Sequence, residues 1–324
     1  MNWKAKAFLQ NIVSCLPESI SYALYYLMQK HFGALKEYNP IRQLSSGVQT
    51  WGRIKSLGFD PKDGAFFELG TGKAPIAALA YWLMGARQVI TVDANPYARD
   101  LIVQRAIDYM LHNEDEIRKI FGNVLIDNRL EELFSFAKKK SVTVDDCCRL
   151  CNILYLAPAD ARDVAIPSDS IDYYTSYDVL EHVNAHILPE IFCEGNRIVK
   201  DSGLFVHCVD YCDHFAYSDN SISILNFLQF SDTAWHKIAG NRYMYMNRLR
   251  HDDVMALFHG AGHRILMAET GTDACLQDQL ATGCIRLAEK FQSKPTDVLL
   301  ITSAWIASQK KSATRDAPPR PRPQ

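Results

Sequence analysis

The chain contains no run of roughly 18 to 20 uninterrupted apolar residues, the length a membrane-spanning helix requires. It has no excess of either charge: 35 Lys and Arg stand against 37 Asp and Glu, a formal net charge of −2 over 324 residues. A basic stripe of the kind that grips nucleic acid is therefore not expected. Zinc-type cysteine spacing is also missing. Cys147, Cys148 and Cys151 contain one C-x-x-C without a second pair, and Cys208, Cys212 and His214 form a looser grouping. Nine cysteines, with no small-residue cleavage site after the N-terminal apolar stretch, argue against a disulfide scaffold. Reduced thiols in the cytoplasm are the expectation, and since buried thiols are ordinary core residues, no metal ligand set is expected.

A hydrophobic content of 48% is enough to bury a substantial core, in one large α/β domain with additions or in two small ones. Residues 1–60 read as a helical cap. Phe8, Leu9, Ile12 and Val13 precede Pro17, and Ile20, Tyr22, Leu24, Tyr25, Leu27 and Met28 follow it. This predicts two short amphipathic helices that cap the main domain, cover a substrate or lie on a membrane surface.

From residue 61 the pattern changes. Ala65–Leu69, Gln88–Val92, Asn152–Leu156, Ile171–Ser176 and Leu204–Val209 are short apolar runs that read as buried strands, with helical stretches between them. Such alternation predicts a doubly wound, mostly parallel α/β sheet over residues 61–308. Two stretches break the rhythm: residues 111–150, charged and helical, and residues 211–250, aromatic and polar without a clean period. His251–Gly260 reads as a helix, and His263–Ala268 and Val298–Ala307 as further strands. The Pro- and Arg-rich tail, 309–324, is expected to be disordered.

The strongest chemical signal is Glu68-Leu-Gly70-Thr-Gly72, between a strand and a helix. Glycines there let a backbone approach a ligand closely, and a helix N-terminus attracts negative groups. A phosphate-binding P-loop is excluded, because Phe67 stands where its first glycine belongs and Ala74 where its Ser or Thr belongs. A dinucleotide fingerprint stays open, although Pro75 replaces its third glycine. Asp93, some 20 residues on, suits a ribose in either case.

The stretch Asp160-Ala161-Arg-Asp-Val-Ala-Ile-Pro167 through Asp172 to Asp178-Val-Leu-Glu181-His182 resembles the middle of class I S-adenosylmethionine-dependent methyltransferases. Arg197-Ile-Val-Lys-Asp-Ser-Gly203 resembles their next glycine turn. The resemblance covers about Ala65 to Val209, with the motifs in order. Two departures are Ala74 for a third glycine and Asp201 for a proline. The resemblance implies a Rossmann-like methyltransferase sheet, with an N-terminal helical cap and an insertion after the fifth strand. It implies S-adenosyl-L-methionine as cofactor, with Gly70 and Gly72 under its methionine part and Asp93 on its ribose hydroxyls. Asp160 and Ala161 would meet the adenine, Asp178 the methionine amino group or the acceptor, and Glu68 would contribute through the loop. Asp93 and Asp160 also suit plain caps or turns.

Methyl transfer to a neutral hydroxyl usually needs a general base. His214 and His182, after the fifth and fourth strands, are the candidates, with Asp178 beside them. Asp178-Val-Leu-Glu181-His182 also resembles the E-x-x-E-H of quinone O-methyltransferases, which can hold a divalent ion, with a shorter first acid here. Tyr217, Trp235, Asn247, Arg248 and Arg250, in the 211–250 stretch, offer aromatic faces and polar forks to a small polar or carbohydrate-like acceptor. The same aromatics suit packing of the insertion onto the sheet. That stretch, with Tyr25-Tyr26 upstream, bears a weaker resemblance to methyltransferases of bacterial surface-polysaccharide pathways. An NAD-dependent oxidoreductase and an inactive cofactor-binding partner subunit remain as alternatives.

Overall fold

The computed structural model describes residues 1–33, 35, 38–138 and 141–311. The tail expectation for 312–324 lies outside the described residues, while residues 309 and 310 belong to a strand.

Three helices come first: α1 (Trp3–Ser14), α2 (Glu18–Phe32) and α3 (Ile41–Ser56). The sheet then begins with β1 (Ala65–Leu69), α4 (Ile76–Leu83), β2 (Gln88–Val92) and α5 (Asp100–His112). Residues 111–150 contribute α6 (Glu114–Phe121), α7 (Asp127–Ala137) and α8 (Val144–Leu150). There follow β3 (Ile153–Leu156), β4 (Ile171–Tyr177), α9 (Leu188–Ile198) and β5 (Val199–Asp210). The last part holds α10 (Asp232–Ala239), α11 (His251–Gly260), β6 (His263–Thr272), α12 (Cys275–Ala281), α13 (Glu289–Gln292), α14 (Thr296–Leu300) and β7 (Ile301–Lys310).

The seven strands form one sheet in the order β3-β2-β1-β4-β5-β7-β6. The pairs among β1 to β5 are parallel. β7 runs antiparallel between β5 and β6. Both faces are buried, as expected of a parallel sheet. Phe66, Val89, Leu204 and Val206 face α3, α4 and α5, while Phe67, Ile90, Phe205 and Val209 face α9 and α11. Each fully buried Phe contributes roughly 1.5–3 kcal/mol over the exposed state.

Several element limits differ from the expectation. β5 begins at Val199, because the Asp201-Ser202-Gly203 turn is drawn into the strand. Val298 to Leu300 belong to a helical turn started by Pro295 and Thr296, so β7 begins at Ile301. Only Leu188–Ile198 of the stretch after β4 is α-helical, with a 3-10 turn at Leu180–His182 before it.

A third apolar cluster lies apart from the sheet. Trp3 and Ala7 of α1 pack with Phe215, Phe227 and Trp235 of the 211–250 stretch and with Phe291 and Leu299. The first helix thus joins this insertion, whereas α3 packs on the sheet side.

Candidate active site

All parallel strands end on one edge, where ligands bind in such sheets. The loop after β1 opens there. Gly70 and Gly72 have φ of +89° and +68°, a region that β-carbon-bearing residues rarely adopt. A β-carbon at Gly70 would collide with Cγ2 of Val179, whereas Gly72 faces open space. The loop is therefore seated against the Asp178–His182 turn and free on its outer side.

Asp93, half-buried after β2, fixes the loop. Its Oδ2 accepts from the Gly72 amide at 3.0 Å and its Oδ1 from the Asn95 amide at 3.0 Å. Burial raises its pKa, and these two amides oppose the rise. Beneath the loop, Glu68 is 6% exposed and accepts from Thr91 Oγ1 at 2.8 Å. Burial pushes its carboxyl up to about 8. Thr91 Oγ1 in turn lies 2.7 Å from Oγ1 of Thr71 in the loop, which links Glu68 to the loop's underside.

Asp160 is exposed, and Arg162 holds it with Nε at 3.0 Å and Nη2 at 2.7 Å. The guanidinium keeps its pKa below the usual carboxylate range. Half-buried Ala161 follows it. The Ala159 amide donates to the Asp93 carbonyl at 3.0 Å, so this loop borders Asp93.

The second half of the site gathers at the ends of β4 and β5. Asp178 has a φ of +53° and pairs with Arg42 of α3 at 2.5 Å. Burial outweighs Arg42 and lifts Asp178 to about 6. Glu181 is 4% exposed, and neither carboxyl oxygen makes a hydrogen bond. Burial and the nearby Asp178 raise its pKa well above the ordinary range. His182 is exposed, and its Nδ1 donates to the Tyr245 carbonyl at 2.8 Å. The protein around it pushes its pKa down to about 4, with His214 adding to the effect.

The rings of His182 and His214 lie 4.8 Å apart. His214 Nε2 meets Asp210 Oδ2 at 3.1 Å, and the Tyr217 hydroxyl donates to the same oxygen at 2.5 Å. Burial works against ionisation of Asp210, yet these donors hold its pKa below normal. An ionised carboxylate only accepts, so Nε2 of His214 carries the hydrogen and Nδ1 of the neutral ring keeps a lone pair. Glu181, His182 and His214 each offer one ligand atom within 4.8 Å of the others, a spacing a divalent ion can bridge.

Three expected acceptor contacts need correction. Trp235, Arg248 and Arg250 are 4%, 4% and 0% exposed. Trp235 packs in the third apolar cluster. Arg248 donates to the carbonyls of Phe227 and Phe230, both at 2.7 Å, and pairs with Asp232. Arg250 donates to those of Tyr211, Leu299 and Ile301. These side chains close an aperiodic segment whose carbonyls have no ladder to satisfy them. Asn247 donates to the carbonyls of Leu180 and Val183 at 2.7 and 2.9 Å, and so positions the Glu181–His182 turn. Tyr217 is 57% exposed and keeps its place at the surface of the site.

Arg42, Asp210 and Tyr22 escaped the sequence reading. Asp210, four residues before His214 at a strand end, carried a usable signal. Arg42 carried none. Tyr22 of α2 donates to Asn95 at 2.6 Å and so touches the loop after Asp93.

No protein-family model matches the chain, and no curated protein matches it. Solved structures are similar to it over most of their length. One is an S-adenosylmethionine-dependent methyltransferase from Mesorhizobium loti, 12% identical over 82% of this chain and 100% of that one, TM-score 0.43. Another, from Methanosarcina mazei, is 10% identical over 79% and 96%, TM-score 0.45. A geranyl diphosphate C-methyltransferase from Streptomyces coelicolor is 11% identical over 82% and 79%, TM-score 0.43. The chain has the Rossmann-like methyltransferase fold. Its own sheet order carries that statement, with antiparallel β7 between β5 and β6. A dinucleotide-binding sheet runs 3-2-1-4-5-6 instead.

Proposed function

We propose that the chain transfers a methyl group from S-adenosyl-L-methionine to an oxygen of a small polar or carbohydrate-like acceptor, in the reducing cytoplasm. The observation that carries this reading is the contact of two half-sites through Gly70 and Val179. On one side a glycine loop tied to Asp93 leaves open space; on the other, Asp178, Glu181, His182 and His214 converge. In this reading the cofactor lies over Gly70 and Gly72, with its ribose on Asp93 and its adenine near Asp160 and Ala161. Asp178 lies between the methionine amino group and the acceptor.

Displacement at a sulfonium needs mainly alignment, which supplies roughly 7 to 11 kcal/mol. When bound, S-adenosyl-L-methionine would supply the methyl carbon to the acceptor oxygen, its carbon–sulfur bond breaking to a neutral thioether. Nδ1 of His214, held by Asp210, takes the acceptor proton. Tyr217, exposed beside the His214 ring, lines the acceptor side.

Calorimetry with S-adenosylhomocysteine and with NAD tests the cofactor half. Binding of the first and not the second is expected; the reverse overturns the reading. A methyl mass gain on a hydroxylated acceptor panel tests the other half. Cofactor binding with no product across a broad panel would favour an inactive partner subunit.

A further inference from the structure

The first two helices bury polar side chains beside apolar ones. Gln10 is 3% exposed, and Ser21 is fully buried, donating to the Val13 carbonyl at 2.6 Å. Asn11 donates to the carbonyls of Lys237 and Ile238 at 3.0 and 3.1 Å. Apart from buried Trp3, Ala7 and Val13, a second set of large apolar side chains points outward. Phe8 is 65% exposed, Ile12 50%, Ile20 55% and Leu27 48%. Of the ten large hydrophobic residues exposed among the described residues, seven lie between Met1 and Leu27. Scattered single apolar residues are ordinary on a surface, but this concentration on one hairpin is not. The spacing puts Phe8 with Ile12, and Ile20 with Leu24 and Leu27, on one face of each helix.

The rim of this face is basic. Lys4 is exposed on α1, and Lys237 lies beside Asn11. Arg242 pairs with Glu18 at 3.5 Å, cancelling the one acid of the two helices. Asp219 accepts from the Trp3 amide at 2.7 Å, on the side of α1 facing the body. This positive rim belongs to a protein of net charge −2, so it is a local feature. The hairpin is also firmly seated. Tyr25 stacks on Tyr243 with centroids 3.8 Å apart, and Ser21 hydrogen-bonds the Tyr243 hydroxyl.

We infer that the outward face of α1 and α2 docks on the surface of an anionic lipid bilayer. Phe8, Ile12, Ile20, Leu24 and Leu27 enter the boundary between headgroups and acyl chains, and the basic rim meets lipid phosphates. Among the described residues no helix is long and apolar enough to cross a membrane, so the hairpin lies in the interface. Docking needs no rearrangement, because the apolar face is already outward. The inference stands apart from the methyl-transfer reading: loss of vesicle binding leaves S-adenosylhomocysteine binding intact, and the converse holds too.

The test is co-sedimentation of the full chain with vesicles of phosphatidylcholine alone or equimolar with phosphatidylglycerol. Binding to the anionic vesicles, weakened by salt, is expected. Phe8→Glu, Ile12→Glu and Leu24→Glu should each lower partitioning by roughly tenfold or more, since each removes a buried apolar side chain from the bound state. Their circular dichroism should match the parent. Leu101→Glu, at an exposed apolar residue outside the hairpin, should bind as the parent does. No binding to either vesicle overturns the inference. So does a dimer in sedimentation that the same three substitutions dissociate while vesicle partitioning is unchanged, for the face then belongs to a second copy.

Discussion

The backbone N–H of Gly72 donates to Oδ2 of Asp93 at 3.0 Å, which makes the glycine loop and the strand-end carboxylate one unit. The Asn95 amide occupies Oδ1. A carboxylate has about four lone-pair sites, so each oxygen retains capacity for one ribose hydroxyl. Asp93→Ala removes both acceptors and unties the loop. S-adenosylhomocysteine binding should weaken by about 1.5–3 kcal/mol or more, the scale of a hydrogen bond to a charged group. Asp93→Asn keeps one acceptor oxygen and should fall between. An unchanged calorimetric Kd in Asp93→Ala would place the ribose elsewhere.

Glu68 gives the protein a pH-dependent stability. Its folded pKa, about 8, lies above the ordinary 4.5, so the folded state binds the proton more tightly than the unfolded chain. Its contribution is fully present below about 4.5, declines as pH rises to about 8, and is level above that. Glu68→Gln keeps an acceptor for Thr91 and never ionises. Urea unfolding across this window should show a flatter pH profile for the variant than for the parent. Parallel profiles would mean that Glu68 is ionised at neutral pH in the native state.

The parallel part of the sheet and the glycine loop were legible because they follow rules of local pattern. Buried strands alternate with helices, and a glycine pair at a strand end followed by Asp93 has few other uses. The 211–250 stretch was harder, since an aperiodic segment does not reveal which way its side chains face. Arg250 and Arg248 were read as acceptor grips from residue type alone, and the carbonyls of an irregular backbone claimed them instead. Arg42, 136 positions from Asp178 in sequence, meets it only through packing of α3.

Arg250→Ala should therefore act on folding. Removal leaves the carbonyls of Tyr211, Leu299 and Ile301 without their buried donor. At roughly 1–3 kcal/mol for each unsatisfied group, a loss of at least about 3 kcal/mol is expected. Arg250→Lys should rescue little, because an ammonium lacks the planar fork. A urea midpoint equal to the parent's would return Arg250 to the list of acceptor contacts.

The two histidines should divide the work. His182 Nδ1 is tied to the Tyr245 carbonyl, in a turn that Asn247 clamps to the insertion. His182→Ala should thus loosen that turn and cost stability more than chemistry. In the proposed reading His214, held through Nε2 by Asp210, turns Nδ1 toward the acceptor. With an acceptor from the panel, His214→Ala should lower turnover by about 10²- to 10⁴-fold while S-adenosylhomocysteine affinity stays near the parent's. Asp210→Asn should lower kcat as well, since an amide that donates to Nε2 selects the wrong tautomer. A structural role would leave the pH profile of kcat/KM unmoved; a base held by Asp210 would shift its acid limb in the Asn variant. Normal turnover in His214→Ala at saturating acceptor would move the base to His182 or remove the need for one.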